Sequence, residues 1–540
     1  MKRWFVFLAV VIVLVTCLAG CAENGEPKLV YNDITAAKFN TNEINRAIKN
    51  MKSGDTLVFN GGILYIGASD ISGGINIDNK KNITIDGNGT TLVNTSFDPT
   101  TEFYQKSNVF DLANSENVTI KNLSIDFRSF INASGIITDY KDGYTYLKLF
   151  DEYLKQDKPR LEGDISAYAS NSFSADGIPV AEESYFDEAN KILLCVNSDT
   201  GEFKLKGNHG KIGDNICVRL TKGSASPTIF VRNTHSLKME NVTVRSSPSA
   251  TFYALAGSSN FTFDHFVVEP YADSQIIYAS NVDCIHIKGL RGKLEIKNSR
   301  FIGIGDDALN INSRAASVTS IDGNDVYVRD AYADDKLDSL WAKVGDTVEL
   351  FDKNFKSLGC AEIKKFDTDK IVLDKLPDGA EKTYVLQNLA FCPETVIENC
   401  TIERGRARGF LLQTKNATVK NCDFKNLRLS AVLISPDIYY WYEMGPAENI
   451  TIEDNTFTSC CSIGDKQFGV INVSIGHDGQ SVNVKGQPHK NVKVNNNVFN
   501  NINTYALNAL YVDGIEFTGN TLSNVKKSYR TALCENRIID

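Results

Sequence analysis

The heptapeptide Val396-Ile-Glu-Asn-Cys-Thr-Ile402 returns as Thr418-Val-Lys-Asn-Cys-Asp-Phe424. In both copies apolar residues alternate with polar ones on either side of an Asn, which indicates strand, turn and strand with one buried face. An Asn at the turn tolerates the left-handed backbone conformation that such a corner needs. Related phrases recur from Asn82 to Leu522, and close neighbours are spaced by about 22 to 24 residues. Repeats of that length with strand periodicity predict a parallel β-helix in an all-β chain.

Two segments interrupt the repeat and define the expected domain organisation. Both are rich in short strand patterns, and we expect each to form a small inserted β-barrel or sandwich. The second begins directly after Asn312, so we expect it to form a wall beside that strand. The predicted division is 1–20 signal peptide, 21–130 N-terminal cap and first coils, 131–230 first insertion, 231–313 β-helix, 314–390 second insertion and 391–540 C-terminal coils.

The N-terminus predicts export. Lys2 and Arg3 precede an apolar run that is short for a membrane span and typical of a signal peptide. The run ends in Leu18-Ala19-Gly20-Cys21, which resembles a bacterial lipoprotein box and implies cleavage before Cys21 and lipidation of its thiol. The alternative is an ordinary signal peptide that happens to contain Cys21. We favour a lipoprotein of the bacterial outer membrane, periplasmic or surface-facing, that is held to the membrane by its lipid.

Composition narrows the class of partner. The 540 residues carry a net charge of −9 with no basic block, which argues against nucleic acid. Ten of the twelve cysteines lie beyond Cys21, and Cys400 and Cys422 occupy equivalent repeat positions. Thiols stacked in a core explain this placement better than disulfides do. Residues 41–52 place apolar side chains at helical spacing, so we expect a short helix that caps the open end of the stack.

Three carboxylates form the main candidate site. Asp306 and Asp307 follow Gly305 among apolar residues, and Asp283 lies 23 residues earlier. With a coil of that length, Asp283 would lie beside Asp306 on the neighbouring coil. Three crowded carboxylates raise one another's pKa, so one can stay protonated as an acid while another serves as a base. A solvated acidic turn and a calcium site are the alternatives.

Other polar and aromatic residues are secondary candidates. His286 would point away from Asp283 on a regular strand unless a bend intervenes, and it is either a structural histidine or a substrate contact. Arg404, Arg406 and Arg408 alternate, so we expect them to line one face. The cluster 437–443, Asp-Ile-Tyr-Tyr-Trp-Tyr-Glu, is either a sugar-stacking surface or an apolar plug between coils.

An ordered set of motifs resembles glycoside hydrolase family 110, the inverting α-1,3-galactosidases on a right-handed parallel β-helix. The motifs are Val244-Arg-Ser-Ser-Pro-Ser-Ala250, Asp283-Cys-Ile-His286, Arg291-Gly-Lys-Leu-Glu-Ile296, Asp306-Asp-Ala-Leu-Asn310, Val344-Gly-Asp-Thr-Val348, Arg406-Ala-Arg-Gly-Phe-Leu-Leu412 and Tyr440-Trp-Tyr-Glu-Met-Gly445. The resemblance implies that Asp306 is the general acid and that Asp283 and Asp307 position and activate the water. Polygalacturonases show a similar three-Asp arrangement.

The resulting prediction is an exo-acting hydrolase that removes terminal α-1,3-linked galactose from an oligosaccharide or glycoconjugate, without metal or cofactor. The expected substrate contacts are His286, Asn310, Arg408, Trp441 and Glu443. A β-helix hydrolase or lyase for another sugar is one alternative, and the lack of an evident Lys or Arg base beside the three Asp residues argues against the lyase. A non-catalytic glycan-binding β-helix is the other alternative.

Overall fold

The computed structural model describes residues 28–30, 41–67, 74–99, 106–155, 158–174, 177–179, 184–185, 192–220, 225–462, 468–476 and 483–540. These residues form a parallel β-helix in which each coil contributes a strand to up to three sheets. The predicted all-β fold is therefore confirmed. The predicted signal peptide 1–20 and Cys21 lie outside the described residues.

Three parallel sheets form the faces of the coil. The first sheet contains Ile75–Asp78, Phe110–Ala113, Ile229–Arg232, Phe252–Ala254, Ile285–Lys288, the start of Leu309–Asp322, Phe410–Gln413, Val432–Ile434 and Gly469–Val473. The second sheet contains Lys28–Val30, Thr56–Val58, Arg291–Lys297, Glu394–Glu398, Lys415–Lys420, Glu448–Glu453, His489–Asn495, Val512–Thr518 and Glu535–Ile539. The third sheet contains Ile63–Ile66, Arg300–Ile304, Thr401–Gly405, Asp423–Leu427 and Thr456–Thr458.

Long strands continue around the corners of the coil. Lys81–Asn94, Glu116–Phe127, His235–Val244 and Ser259–Val268 run through the second and third sheets. Val498–Leu510 and Thr521–Ala532 run from the third sheet to the first.

Asparagines occupy the predicted left-handed corners. Asn399 and Asn421, from the two copies of the repeat quoted first, have φ angles of 57° and 52°. Their side chains stack from coil to coil elsewhere in the helix, for example where the amide of Asn491 donates to Asn449 at 3.0 Å. Each corner side chain thus satisfies its neighbour, and this explains why the phrase keeps Asn at that position.

The interior is a continuous apolar stack. Phe424, Phe457 and Phe499 lie in successive coils with ring centroids 4.9 Å apart and nearly parallel planes. All ten described cysteines are free, and Cys400 and Cys422 are buried in the stack. The expectation of thiols in place of disulfides is confirmed for these ten. Stacking of identical side chains fills the core without voids because coils repeat at strand spacing.

Helices are few in the described part of the chain. Thr41–Asn50 is the predicted capping helix, and it buries Ile44 and Ile48 against the first coils. The others are Glu152–Lys155 and the short 3-10 turns Ala380–Lys382 and Leu389–Phe391. None of the described helices has the length and apolarity needed to cross a membrane.

The first insertion closes into a six-stranded antiparallel barrel. Around the barrel the strands are Asn132–Lys141, Tyr144–Leu149, Glu202–Lys206, Ile192–Asn197, Ile165–Phe173 and Asn215–Leu220, and the last pairs with the first. Ser184–Tyr185 adds a short edge strand. We call this unit the first barrel.

The second insertion also closes into six antiparallel strands. Their order is the end of Leu309–Asp322, Asp325–Asp330, Lys370–Leu373, Ser357–Asp367, Thr347–Asp352 and Thr383–Asn388, which pairs back with Leu309–Asp322. We call this unit the second barrel. Its first strand is a direct continuation of a strand of the first sheet, so the second barrel is covalently continuous with the strand that follows the Asp pair.

Candidate active site

The register of the first sheet sets which acids face each other. Ile285 pairs with Leu309, so one coil is 24 residues long here. Asp283 therefore lies opposite Asp307, and its Oδ1 accepts a hydrogen bond from the Asp307 backbone amide at 2.9 Å. The predicted pairing of Asp283 with Asp306 is wrong by one residue, because the true coil is one residue longer than the spacing suggested.

The coils approach very closely at Gly305. A Cβ atom on this residue would lie 2.3 Å from the carbonyl oxygen of Asn281, so no other residue fits without a shift of the backbone. The Gly305 amide donates to the Ser280 carbonyl at 2.7 Å. This tight contact brings the turn that carries the Asp pair against the turn that precedes Asp283, and so it assembles the three acids.

The three carboxylates form one compact cluster. One oxygen from each of Asp283, Asp306 and Asp307 lies within 4.8 Å of the other two. The side chain of Asp306 is 28% exposed, whereas that of Asp307 is 1% exposed. The closest oxygens are nearer than the roughly 6.5–9.5 Å expected for the acid and base of an inverting glycosidase.

Two arginines from the next coil bind the cluster. Arg408 donates two hydrogen bonds to Asp307, from Nε to Oδ1 at 2.7 Å and from Nη2 to Oδ2 at 3.0 Å. Arg406 donates to Asp306 Oδ1 at 2.5 Å. Three carboxylates and two guanidiniums leave one negative charge, which a single proton would neutralise.

Two predictions about these arginines are wrong. Arginine does lie beside the acids, so the argument that no such base is present fails as evidence against a lyase. Arg404 does not share a face with Arg406 and Arg408, because its φ angle of 57° breaks the alternation. The Arg404 side chain instead lies beside Gly177 of the first insertion.

Burial dominates the titration of the inner acids. It raises the pKa of Asp283 to about 7, and the charge of Asp306 adds to that effect. Burial raises the pKa of Asp307 to about 7 as well, although Arg408 opposes the shift. The two pKa values do not separate the inner acids, but the two bonds from Arg408 favour the carboxylate form of Asp307.

His286 lies on the same side as Asp283, contrary to the prediction from strict strand alternation. Asp283 belongs to the turn before the strand Ile285–Lys288, where alternation does not apply. His286 Nδ1 lies 2.5 Å from Asp283 Oδ2, and its ring contacts that of Tyr253 at 5.0 Å. Burial lowers the pKa of His286 to about 4, so the imidazole is neutral at physiological pH.

Glu443 approaches the far side of the imidazole. Its Oε1 lies 3.9 Å from His286 Nε2, a buried nitrogen to which the described residues supply no hydrogen-bond partner. Burial raises the pKa of Glu443. Asn310 is in register with His286, but it is buried and its Oδ1 accepts from Asn312 at 3.0 Å. Glu443 and His286 thus present an incompletely bonded polar pair next to Asp283, whereas Asn310 is already engaged.

The aromatic cluster divides between the two alternatives of the sequence analysis. Tyr439 and Tyr442 pack against a buried apolar cluster and act as the plug. Trp441 is 43% exposed and stacks on Tyr332 of the second barrel, with centroids 5.9 Å apart. Lys288, two residues beyond His286, lies over the Tyr332 ring at 5.8 Å. An aromatic surface therefore begins next to the polar pair.

The cluster also meets the distance requirement for a shared cation. Its oxygens, however, are largely engaged: both oxygens of Asp307 accept from Arg408, and both of Asp283 contact the Asp307 amide or His286. A cation would have to compete with two guanidinium groups for these lone pairs. These carboxylate oxygens are therefore better suited to ion pairs with arginine than to binding a calcium ion.

Comparisons with known proteins place this site in context. A family model described as right handed beta helix region matches residues 379–524, and one described as glycosyl hydrolases family 28 matches residues 185–327. The chain is 25% identical to alpha-1,3-galactosidase B of Bacteroides thetaiotaomicron over 471 residues, covering 82% of this chain and 74% of that protein. It is 26% identical to alpha-1,3-galactosidase A of the same organism, covering 83% and 79%.

Among solved structures, an exopolygalacturonase from Thermotoga maritima has 13% identity and a TM-score of 0.45, with 93% of this chain and 88% of that chain covered. The predicted resemblance to the family 110 α-1,3-galactosidases is confirmed by the two relatives. The prediction of a glycoside hydrolase is confirmed as well.

Proposed function

We propose that this glycoside hydrolase removes terminal α-1,3-linked galactose from glycans with inversion of configuration. The observation that carries the proposal is the division within the three-Asp cluster, which joins one partly exposed acid to two buried ones. The relatives, which are α-1,3-galactosidases, support galactose as the released sugar. Because these relatives are only 25% and 26% identical to the chain, the linkage is part of the proposal.

Asp306 is the proposed general acid. It is the most exposed of the three carboxylates, so it can reach the glycosidic oxygen of a bound glycan and give it a proton. The carbon–oxygen bond then breaks with the electron pair on the leaving sugar. We place on Asp306 the proton that this step transfers, and general acid catalysis of this kind contributes about 10²- to 10⁴-fold.

Asp283 and Asp307 are proposed to hold and deprotonate the attacking water. A retaining enzyme would need one of them as a nucleophile with an accessible lone pair. Asp307 is buried and gripped at both oxygens by Arg408, and Asp283 is bonded on both sides. Neither is well placed to attack carbon, which supports activation of water in spite of the short distances between oxygens.

The remaining predicted contacts have graded support. His286 Nε2 and the Glu443 carboxyl group offer two hydrogen-bonding groups to one sugar hydroxyl, because the 3.9 Å gap between them leaves both incompletely bonded. Trp441 is proposed to stack on the sugar that follows the scissile bond. Arg408 acts through Asp307, and Asn310 supports the same face of the sheet. Both are proposed to affect the substrate indirectly.

Anchoring of the protein to a bacterial outer membrane through lipid on Cys21 remains a proposal. The support is the Leu-Ala-Gly-Cys sequence after an apolar run. Metabolic labelling with a fatty acid tests it in the full chain expressed in a bacterium. We expect label on the wild type and none on Cys21→Ser. Equal label on both proteins, or label on neither, would contradict the proposal.

The test of the activity uses the purified chain with Galα1-3Gal, Galα1-4Gal, Galα1-6Gal and polygalacturonate. We expect galactose from the α1-3 disaccharide only, in the presence of EDTA. Asp306→Asn should lose about 10³- to 10⁴-fold in kcat, while Asp199→Asn, a control at a highly exposed position of the first barrel, should keep full activity. An unsaturated product from polygalacturonate would favour the lyase alternative, and sugar binding without turnover would favour the binding protein.

A further inference from the structure

We infer that Arg219 of the first barrel is a positioning residue that fixes the backbone beneath the acids. The inference rests on the proposed function of Asp283 and Asp306. Arg219 lies on Asn215–Leu220 and is 1% exposed. Its Nη1 donates to the carbonyl oxygen of Gly305 at 2.8 Å and to that of Asn281 at 3.2 Å.

Both carbonyls belong to the turns that present the acids. Gly305 directly precedes Asp306, and Asn281 is two residues before Asp283. One guanidinium nitrogen therefore ties together the two turns whose close approach assembles the cluster. A change in either turn would move one carboxylate relative to the other, and catalysis is sensitive to displacements of about 1 Å.

The Gly305 carbonyl also accepts a bond from a second cation. Arg406 Nε donates to it at 2.7 Å, and the same guanidinium binds Asp306. Two charge-assisted bonds on one carbonyl are stronger than neutral ones and restrict the turn. Asp306 is therefore held through its side chain by Arg406 and through its backbone by Arg406 and Arg219 together.

The position of Arg219 is set by several contacts between the first barrel and the β-helix. Asn132 donates to the Tyr278 carbonyl at 2.8 Å, and Asn281 donates to the Ile131 carbonyl at 2.7 Å. The Ile277 amide donates to the Ser134 hydroxyl at 3.2 Å. These contacts hold the barrel against the segment that leads into Asp283, and among these docking side chains only Arg219 reaches the carbonyl next to Asp306.

A purely structural role would make Arg219 one more docking contact. The charge of Arg219 helps to separate the two roles, because this buried cation lies near the carboxylate cluster. The charged groups of the cluster are Asp283, Asp306, Asp307, Arg406 and Arg408, and His286 and Glu443 lie beside them. Loss of a nearby cation disfavours carboxylates and raises their pKa values. Loss of this cation therefore predicts a displaced pH profile, and loss of its bonds to the two acid-bearing turns predicts a lower kcat, whereas loss of a docking contact away from these turns predicts neither.

The experiment compares Arg219→Met, Arg219→Lys and Ser134→Ala in the full chain. The substrates are Galα1-3Gal and α-galactosyl fluoride, which lacks a second sugar. We expect Arg219→Met to lose about 10- to 100-fold in kcat on both substrates, with KM within about threefold and the alkaline limb moved to higher pH. Arg219→Lys should restore the wild-type pH profile and part of kcat, because it keeps the charge but loses the second bond.

Ser134→Ala removes a docking contact that does not touch the acid-bearing turns, so it should keep kcat and the pH profile. Wild-type kcat and an unmoved profile in Arg219→Met would overturn the inference. A second measurement, which does not depend on turnover, is the melting temperature of Arg219→Lys and of Arg219→Met between pH 5 and pH 8. The Met variant should lose more stability than the Lys variant as pH rises, and parallel curves would overturn the inference even if galactosides were not substrates.

Discussion

The two inserted barrels have the same strand count and closure but contact the β-helix in different ways. The first barrel sends the buried Arg219 to the carbonyls that precede the acids. The second barrel is tied to the second sheet by a two-bond ion pair, Arg291 to Asp346, at 2.7 and 2.6 Å. Its loop also places the exposed Tyr332 beside Trp441. We infer that the first barrel supports the acids from behind and that the second shapes the approach of the substrate.

The difference teaches that a similar insertion can acquire different roles according to the coil corner it occupies. The first barrel meets the turns at 277–281, which lead into Asp283. The second barrel begins on the strand that leaves the Asp pair, and its Asp346 also accepts from Asn388 at 2.9 Å. Two motifs of the family resemblance, Arg291-Gly-Lys and Val344-Gly-Asp, meet in this ion pair. These motifs maintain the barrel, whereas the Asp motifs maintain the site.

The largest effect is expected in the β-helix itself and sets the scale for both barrels. Arg408→Met leaves Asp307 buried without its two bonds, which favours protonation of the proposed base. We expect a loss of about 100- to 1,000-fold in kcat/KM, measured on Galα1-3Gal. Arg300→Met, which removes an exposed arginine that binds Glu269, is the control and should retain activity. Equal activity of the two variants would contradict the role of Arg408 in keeping Asp307 ionised.

Asp346→Asn tests the second barrel. It replaces a two-bond ion pair by a weaker contact and leaves Arg291 with less compensation. We expect a loss of about 2–4 kcal/mol in the free energy of unfolding, seen as a lower denaturant midpoint. At temperatures where the variant is folded, kcat should stay within about threefold of wild type. A kcat loss as large as that of Arg219→Met would erase the distinction between the barrels.

The two regions should also respond to pH with opposite sign. Burial raises the pKa of Asp283 to about 7, so its folded form binds a proton more tightly than its unfolded form. Its protonation stabilises the fold at low pH, and this contribution is lost as pH rises from about 4 through 7. Burial opposes ionisation of Asp346, but bonds from Arg291 and Asn388 outweigh it and lower the pKa. That contribution is lost as pH falls below about 4.

Melting temperatures of wild type, Asp283→Asn and Asp346→Asn across pH 3 to 8 check these signs. Asp283→Asn should gain stability relative to wild type as pH rises toward 8. Asp346→Asn should approach wild type as pH falls toward 3. Curves with the same slope for both variants would show that the environments of the two carboxylates are not opposite.

The smallest effect is expected at the aromatic surface. Trp441→Ala and Tyr332→Ala should each raise KM for Galα1-3Gal by about three- to tenfold, because a lost stacking contact costs about 1 kcal/mol. Neither should change kinetics on α-galactosyl fluoride, which has no second sugar. Tyr327→Ala, an exposed tyrosine elsewhere on the second barrel, is the control. An equal effect on both substrates would place the aromatic pair against the first sugar instead.

Local periodicity was sufficient to predict the coils. Alternating apolar residues and a corner Asn act within one repeat, so the β-helix, the left-handed Asn corners and the free thiols followed from short segments. The spacing of the acids predicted that they meet, but the register was one residue off because the length of one coil was read from the acids and not from the paired strands. The side of His286 was missed because Asp283 lies in a turn.

Contacts that cross an insertion could not be predicted. Arg219 lies 86 residues before Gly305 and belongs to a barrel outside the repeat, so no periodicity relates them. Arg406 and Arg408 meet acids 100 and 101 residues earlier, because the second barrel is inserted between two adjacent coils. Their alternation was visible, yet their partners depended on which coils become neighbours. One feature of the sequence could have indicated these ion pairs. Two arginines alternate on a strand, and the three-Asp cluster requires nearby positive charge to stay ionised.

The central claim is that the three-Asp cluster hydrolyses an α-galactoside through direct attack by water. Proton NMR of a reaction with Galα1-3Gal tests it most directly, because it identifies the anomer of galactose that is released first. We expect β-galactose as the first product from wild type and none from Asp306→Asn. Release of α-galactose would require a covalent intermediate on one of the buried carboxylates, and it would contradict the roles assigned here to Asp283 and Asp307.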